Sequence, residues 1–396
     1  MSTWRLLSPA SRTLLLAVLL TGVTTFMFLP LLAIELIAQG LRPGVVGLLV
    51  GLLAFSSQGF SLLTGFLVDR FGPRAVTAMG FTLRIAGYVL LGLGGADRPA
   101  PLVAGIVGVG IGGSLLGLAI KTQLVAVGDV APRTMLALRS TFVNIGVIAG
   151  PALGAVVYPL GFRYILAACV LSHLVIGAQL LRRSHEAAPR RTLAGTAVPY
   201  NKEQGAVVWN RWRWAVLIVL SMFYWVVYSQ LTTVVPIVAT TMTGSTAAIS
   251  AVFVINGLTV VAFQYALLRH LLHRTASRTL LVVGFLAFAC AYAALLPQAG
   301  WASLLVFVLP LALAEMLISP SLDEQAVQAT SLRRTGLALG AMSAAGAVGS
   351  LLGSSGGGLL LEALQGGSGT WLVIMGVSVA AALGGLLLPR MRAVYV

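Results

Sequence analysis

Long apolar segments follow one another along the chain, separated by short stretches that hold most of the charges and many of the prolines and glycines. A transmembrane helix needs about 20 consecutive apolar residues, and the breaks divide the chain into twelve segments of roughly that length. The predicted helices cover residues 12–38, 44–68, 75–96, 100–127, 133–159, 162–181, 213–240, 246–268, 277–297, 300–322, 335–364 and 370–389. The pattern predicts an all-α membrane protein with twelve transmembrane helices.

One long polar stretch interrupts this pattern between the sixth and the seventh predicted helix. It is rich in arginine and also contains Pro189 and Pro199. We therefore expect two six-helix bundles, over residues 1–182 and 213–396, joined by a linker over residues 183–212.

The two halves also share short sequence patterns. The string that begins Arg133-Thr134 recurs at Arg334-Thr335, close to half the chain length later. Glycines at four-residue spacing follow each copy, and such spacing lets two helix backbones approach closely in lipid. The glycines are Gly146, Gly150 and Gly154 in the first half and Gly349, Gly353 and Gly357 in the second. Parallel repeats of this kind are typical of transporters, so the sequence predicts two pseudo-symmetric bundles.

Lysines and arginines are concentrated in every second loop. If both termini and the linker lie in the cytoplasm, the opposite side keeps only Arg42, Arg98 and Arg163 in its loops. Cytoplasmic loops carry an excess of positive residues, so both termini are predicted to be cytoplasmic. The compact loops favour a bacterial inner membrane, and we expect a monomer.

Composition supports a membrane protein and argues against other classes. The chain is 58% hydrophobic and 9% charged, whereas soluble domains carry about 25% charged residues. The net charge of +15 lies in loops beside a membrane surface, so no nucleic-acid partner is expected. No catalytic, cofactor or metal motif is found; the glycines at 108, 110 and 113 match a dinucleotide fingerprint but lie within an apolar run, where the required strand and turn are absent. The chain is not expected to be an enzyme.

The turn between the second and third predicted helices carries the most specific motif, GFLVDRFGPR at residues 65–74. Gly72 can end one helix and Pro73 can begin the next. Gly65, Leu67, Asp69, Arg70, Gly72 and Arg74 resemble the G-x-L-x-D-R-x-G-x-R/K motif of the major facilitator superfamily. The resemblance implies that these residues form a latch that favours one face of an alternating-access cycle. The alternative is that Arg70 and Arg74 only set the membrane orientation.

A second motif lies on the fifth predicted helix. Gly146, Gly150, Pro151 and Gly154 resemble the G-x-x-x-G-P-x-x-G-G signature of drug:proton antiporters, with Ala155 in place of the last glycine. The resemblance implies an exporter whose fifth helix bends and packs closely against a partner. Ordinary small-residue packing is the alternative.

Ionisable residues inside a span are costly and mark candidate sites. Glu315, between Pro310 and Pro320, is the candidate proton or cation site, the alternative being a structural carboxylate. Glu35 is a second candidate, at the outer end of the first helix, where a solvated helix end is equally compatible. Arg84 is expected to pair with Asp69 or another carboxylate rather than to bind substrate, and Arg139 to extend to the cytoplasmic surface.

Polar and aromatic positions within the spans give the candidate substrate cavity. Tyr224 and Tyr228 are four residues apart on one helix face, and tyrosine combines an apolar ring with one hydrogen bond. The other candidates are Gln230, Gln58, Asn144 and Asn256. Hydrogen bonding between helices is the alternative role for each.

The predicted function is a proton-coupled exporter of lipophilic or cationic small molecules, in which Glu315 releases the substrate when it binds a proton. The halves would rock about a central site that opens alternately to each side. The partners are a small-molecule substrate, protons and the bilayer. The alternatives within the fold are an exporter of one metabolite, lipid or siderophore, or an uptake permease. A receptor or scaffold without transport is the alternative of another class.

Overall fold

The computed structural model describes residues 6–130, 132–183, 211–270, 275–329, 335–365 and 368–388. The α-helices within these ranges are α1 (Pro9–Ala38), α2 (Pro43–Gly59), α3 (Ser61–Phe71), α4 (Pro73–Leu93), α5 (Pro99–Val127), α6 (Pro132–Val157), α7 (Phe162–Arg183), α8 (Arg211–Tyr228), α9 (Val234–Thr243), α10 (Ala247–His270), α11 (Ser277–Ala293), α12 (Trp301–Gln328), α13 (Thr335–Ala363) and α14 (Ser368–Gly385). One 3₁₀ turn, Tyr158–Leu160, follows α6, and another, Ser229–Thr232, connects α8 to α9. The predicted all-α fold class is confirmed.

Ten helical segments of the described chain are long and apolar enough to cross a membrane, or eleven if the bent pair formed by α2 and α3 counts as one span. Helix α11 is also apolar but has only 17 residues. The count of twelve spans and the division into two bundles stay predictions. The linker, both termini and the second Arg-Thr pattern at Arg334 lie wholly or largely outside the described residues.

Proline begins many of the helices. It stands at the first position of α1, α2, α4, α5 and α6, where its fixed φ suits a helix and its missing N–H costs nothing. The connection between α3 and α4 is Gly72 alone, with φ of +82°. Glycine adopts this conformation without a steric penalty, so the sequence G-P makes the tight turn expected from the motif.

Two of the predicted continuous helices are broken. The segment 44–68 bends by 45° between α2 and α3. The segment 213–240 is interrupted by the 3₁₀ turn Ser229–Thr232. Pro236 explains the second break, because it has no N–H to donate to the carbonyl of Thr232 in a continuous helix. The break places Tyr228, Ser229 and Thr232 beside the cavity described below.

The spaced glycines of the two halves pack in equivalent ways. Gly150 of α6 lies against α1, where an added Cβ would be 2.6 Å from the carbonyl oxygen of Val23. Gly349 of α13 lies against α8, where an added Cβ would be 2.5 Å from the carbonyl oxygen of Met222. The fifth predicted helix therefore packs on the first as the eleventh packs on the seventh, with backbone against backbone.

A seam between α2 and α13 joins the two predicted halves. Gly47 faces the backbone of Ser354 and Gly358, and neither glycine could carry a side chain without a collision with the facing helix. The helix ends near Arg70, Arg74, Lys121 and Arg278 are called the basic end. The seam lies at the other ends of the helices, near Arg42 and Glu362, which we call the opposite end.

Candidate functional site

A cavity of about 450 Å³ lies between the helices of the two predicted halves. Apolar side chains dominate its wall, and the volume falls within the range of small-molecule pockets, about 300–1,000 Å³. The lining residues are Val18, Thr21, Gly22, Thr25, Phe26, Phe28, Leu29, Val50, Leu53, Ala54, Ser57, Gln58, Arg84, Val109, Gly113, Leu116, Gly117, Ile120, Arg139, Val143, Trp225, Tyr228, Ser229, Thr232, Phe253 and Ser350.

The cavity extends from the middle of the helices towards the basic end. Val18, Ile120 and Arg139 line it there, whereas the α2–α13 seam brings the backbones together at the opposite end. The Glu362 carboxylate strengthens this closure. It accepts a hydrogen bond of 3.1 Å from the Gly44 N–H in the first turn of α2 and pairs with Arg42 at 3.5 Å.

Three residues singled out in the sequence meet beside the cavity. The Asn256 side-chain amide donates a hydrogen bond of 3.1 Å to Glu315 Oε2. The Tyr228 hydroxyl lies close to the same carboxylate and interacts with it electrostatically. Tyr228 lines the cavity, and Glu315 and Asn256 lie behind it. We call these three residues the Glu315 cluster.

Aromatic rings hold Tyr228 in place. Tyr224 stacks on it with ring centroids 5.6 Å apart and an interplanar angle of 22°, and Trp225 meets it edge-on at 5.6 Å. Tyr224 is buried, so only Tyr228 and Trp225 of this group reach the cavity.

The other candidate substrate residues are distributed between the cavity and the helix interfaces. Gln58 lines the cavity. Gln230 is buried, and its Nε2 donates to the carbonyl oxygens of Val226 at 2.8 Å and Gly353 at 2.9 Å, which ties α8 to α13. Asn144 lies on α6 next to the lining residue Val143 and is not itself among the lining residues.

Glu35 lies away from the Glu315 cluster, near the opposite end of α1. Its carboxylate accepts hydrogen bonds from the Tyr158 hydroxyl at 3.3 Å and from Gln39 Nε2 at 3.0 Å. It is partly buried, and both partners are neutral.

The proposed latch residues lie at the basic end. Asp69, Arg70 and Arg74 are exposed around the turn at Gly72, and Gly65 lies one helical turn before Asp69 on α3. Arg70 stacks on the ring of Phe71 with its guanidinium carbon 5.6 Å from the centroid. A latch contact between the proposed latch residues and the second predicted half stays a prediction.

The antiporter-type motif of α6 packs on α1. An added Cβ at Gly146 would be 2.9 Å from the backbone of Gly22, and one at Gly154 would be 2.8 Å from the carbonyl oxygen of Met27. Pro151 lies within α6 without ending it. The motif therefore makes a close contact inside the first predicted half.

Two arginines in the cavity wall differ from the sequence expectations. Arg84 is 4% exposed and donates from Nη2 to Thr25 Oγ1 at 2.7 Å and to the Tyr88 hydroxyl at 2.8 Å. Within the described ranges it has no carboxylate partner. Arg139 lines the cavity rather than only the surface. The polar residues of TGVTT, residues 21–25, were the sequence signal for this wall, since Thr21 and Thr25 are four residues apart on one face of α1.

A model of the Major Facilitator Superfamily matches residues 14–322. The chain is 39% identical over 67 residues to the multidrug resistance protein MdtH of Aeromonas hydrophila, which covers 17% of each chain. It is 36% identical over 87 residues to MdtH of Yersinia enterocolitica, covering 22% of this chain and 21% of that relative. These alignments span less than a quarter of the relatives' length.

Solved structures of the same fold cover nearly the whole chain. A POT family transporter in complex with a thioalcohol-conjugated peptide superposes with a TM-score of 0.74 at 14% identity, covering 95% of each chain. The POT family transporter PepTSo superposes with a TM-score of 0.76 at 11% identity, covering 96% of this chain and 97% of that one. At such identities the likeness shows the fold alone. Because the family match extends over most of the sequence, the chain belongs to the Major Facilitator Superfamily of membrane transporters.

Proposed function

We propose that this transporter exports lipophilic small molecules by proton-coupled alternating access. The observation that carries the proposal is the Glu315 cluster, a carboxylate inside the helix packing that contacts the cavity through Tyr228. An ionisable group within a span is costly, and it is retained here beside a cavity of substrate size.

The cavity geometry supports alternating access. The α2–α13 seam and the Glu362 contacts close the opposite end, while the cavity extends towards the basic end. If the basic end faces the cytoplasm, as the positive-inside rule predicts, the structure corresponds to the state that takes up substrate from the cytoplasm.

Tyr228 provides the link between substrate and proton. Its ring forms part of the cavity wall and its hydroxyl lies close to Glu315. A substrate packed against the ring changes the surroundings of the carboxylate, and protonation of Glu315 removes the negative charge that the hydroxyl faces. Binding of substrate in the cavity and protonation of Glu315 therefore influence each other, as thermodynamic linkage requires.

Export, rather than uptake, is supported by the Gly-Pro motif of α6 and by the multidrug resistance names of the partial relatives. We retain the lipophilic part of the substrate prediction and not the cationic part. The charged side chains of the described cavity wall are Arg84 and Arg139, which repel cations.

The test uses inverted membrane vesicles that contain the full chain. An imposed pH gradient, acidic inside, should drive accumulation of lipophilic dyes, and N-phenyl-1-naphthylamine serves as the neutral member of a panel that includes anionic and cationic dyes. Collapse of the gradient with nigericin should abolish the accumulation. No gradient-driven movement of any dye would contradict proton-coupled export.

Glu315→Gln keeps the shape of the side chain but cannot exchange a proton. We expect this variant to lose gradient-driven accumulation while it retains downhill exchange of substrate. Glu324→Gln is the matched control on the same helix, because Glu324 binds Ser277 Oγ at 2.9 Å near the basic end, away from the cavity. Unchanged coupling in Glu315→Gln would remove Glu315 from the proton role.

A further inference from the structure

Arg84 is a buried cation with unused hydrogen-bond donors. A guanidinium has five N–H donors, and within the described residues only Nη2 donates, to Thr25 and Tyr88. Nε is buried without any partner. Burying a charge without a counter-charge is costly, so Arg84 is a group that an incoming anion would stabilise.

Among the described residues, the surroundings of Arg84 supply no such anion. Its hydrogen-bond partners are neutral hydroxyls, and the guanidinium also lies over the Tyr88 ring, 5.6 Å from its centroid. That ring also contacts His173, at 5.4 Å between ring centroids, and the His173 Nδ1 pairs with the carbonyl oxygen of Cys169. Within the described wall of the cavity there is no aspartate or glutamate.

Arg139 adds a second positive group to the same cavity. It lies on α6 and lines the cavity, and its Nε is buried without a hydrogen-bond partner. In the described part of the chain no carboxylate pairs with it. Two helices of the first predicted half thus direct guanidinium groups at a space whose remaining wall is mostly apolar.

We propose that the Arg84 side of the cavity binds the anionic group of an amphipathic substrate, such as a carboxylate or sulfonate carried on an apolar or aromatic body. The planar guanidinium fork recognises carboxylate and sulfonate oxygens through charge-assisted hydrogen bonds. Phe26, Phe28, Trp225 and Phe253 provide the apolar wall for the body. This assignment names the substrate class and rests on the proposed function.

The alternative is that Arg84 only ties α1 to α4. That role needs a donor to Thr25 and Tyr88 but no net charge, and it makes no prediction about ligand charge. The two roles therefore differ in one measurable property, which is the preference of the cavity for an anion over a neutral molecule of the same shape.

The test compares three naphthalene derivatives that differ in charge: 2-naphthoate, 2-naphthamide and 2-naphthylmethyl-trimethylammonium. Their binding to the purified full chain in a neutral detergent is measured by isothermal titration calorimetry. We expect 2-naphthoate to bind about tenfold more tightly than the amide, consistent with the strength of hydrogen bonds to charged groups, and the ammonium compound to bind most weakly. Equal binding of the three, or no binding of 2-naphthoate up to about 1 mM, would overturn the proposal.

Substitutions of the two arginines test whether these residues cause the preference for 2-naphthoate over 2-naphthamide. Arg84→Gln should bring the ratio between naphthoate and naphthamide affinities close to one, and Arg84→Lys should keep part of it because the charge remains. Arg139→Gln should reduce the ratio by a smaller factor. Arg98→Gln is the matched control, since Arg98 is exposed at the opposite end and its loss should leave the ratio unchanged.

Folding is checked for each variant by gel filtration and thermal unfolding. If Arg84→Gln does not fold, the test rests on Arg84→Lys and Arg139→Gln. An unchanged ratio of naphthoate to naphthamide affinity in both variants overturns the proposal. An unchanged ratio in folded Arg84→Gln also overturns it. Binding is measured without a pH gradient, so failure of proton-coupled export in vesicles leaves this result standing, and export of neutral dyes alone would contradict only the anion assignment.

Discussion

The Asn256 side-chain amide donates a 3.1 Å hydrogen bond to the Glu315 carboxylate and so joins α10 to α12 inside the second predicted half. The two residues are 59 positions apart in the chain. With Tyr228 also close to it, the carboxylate faces the helix packing and the cavity wall rather than lipid. This arrangement makes each of the two neighbours a separate test of the proton role proposed for Glu315.

Removal of the Asn256 amide should impair proton-coupled transport. Asn256→Leu is expected to lower gradient-driven accumulation in vesicles about tenfold, because a hydrogen bond to a charged group contributes about 1.5–3 kcal/mol. Asn256→Gln keeps an amide and should be less affected. Asn144→Leu is the matched control, since Asn144 lies outside the cavity lining; equal loss in both leucine variants would show that the effect is not specific to the cluster.

Loss of the Tyr228 hydroxyl separates substrate contact from proton coupling. Tyr228→Phe retains the ring in the cavity wall and its stacking on Tyr224. We expect downhill exchange to persist while gradient-driven accumulation falls severalfold. Tyr292→Phe, which removes a buried hydroxyl bonded to the Val227 carbonyl at 2.8 Å, tests whether loss of any buried hydroxyl on this side has the same result.

The Glu362 contacts should favour closure of the opposite end. Glu362→Gln removes the ion pair with Arg42 and weakens the bond to the Gly44 N–H at the start of α2. A partly exposed pair and a helix N-terminus each contribute about 0.3–1 kcal/mol, so the population open at this end should rise severalfold.

This change can be measured by thiol labelling. Ser57 lines the cavity, and Ser57→Cys, in a chain whose Cys169 and Cys290 are replaced by alanine, reports access of an impermeant maleimide added from the opposite side. Labelling should be faster with Glu362→Gln. Asp97→Asn, at an exposed acid of the same end, should leave the rate unchanged.

The α2–α13 seam should not tolerate a methyl group. A Cβ at Gly47 would collide with the carbonyl oxygen of Ser354, and overpacking costs about 1–3 kcal/mol. Gly47→Ala is therefore expected to lower the thermal unfolding midpoint and to increase labelling from the opposite side. At Gly376 no atom lies within 4 Å of an added Cβ, so Gly376→Ala should be neutral or slightly stabilising.

Asp129 should make a small pH-dependent contribution to stability. It lies in the connection between α5 and α6 and accepts hydrogen bonds of 2.7 Å from both the backbone N–H and the hydroxyl of Ser8, the cap of α1. Partial burial opposes ionisation, but the nearby Ser11 hydroxyl and the hydrogen bonds from Ser8 outweigh it and hold the pKa of Asp129 below its usual value.

A lowered folded-state pKa gives stability that is present above the unfolded value, about 3.9, and is lost as the pH falls through the folded value. Asp129→Asn should therefore lower the unfolding midpoint at pH 7 by no more than about 2 °C. The difference from the unmodified chain should disappear as the pH falls below about 4. A difference that persists in acid would show that the carboxylate charge is not its cause.

The breaks in two helices show that the hydropathy pattern did not predict helix continuity. The apolar run over residues 213–240 predicts one continuous helix, yet the chain forms a 3₁₀ turn at its polar residues Ser229–Thr232. Pro236 was visible in the sequence, and its missing N–H accounts for the break. The bend between α2 and α3 near Phe60 has no proline, and the sequence did not predict it.

Arg84 shows a similar difference between the sequence-based expectation and the structure, in this case at the cavity. Its depth within a span could be predicted, and a carboxylate partner was the physical expectation. The structure instead places Thr25 and Tyr88 on its Nη2. Gln230 was a cavity candidate by its position on the seventh predicted helix, and its amide ties the 3₁₀ turn after α8 to Gly353. Thr25 and Gly353 lie on other helices than the residues that bind them, so residue spacing along one helix does not predict these contacts.

The helical membrane character, the short Gly-Pro turn at Gly72 and the family resemblance could all be predicted from the chain, because hydropathy, proline and glycine act on the backbone locally. Which polar groups meet could not be predicted and is seen only in the packed helices. Tyr228, Asn256 and Glu315 come from α8, α10 and α12, and Arg84 meets Thr25 across α4 and α1. Such contacts depend on how whole helices rotate and pack against each other, which the order of residues along any one helix does not specify.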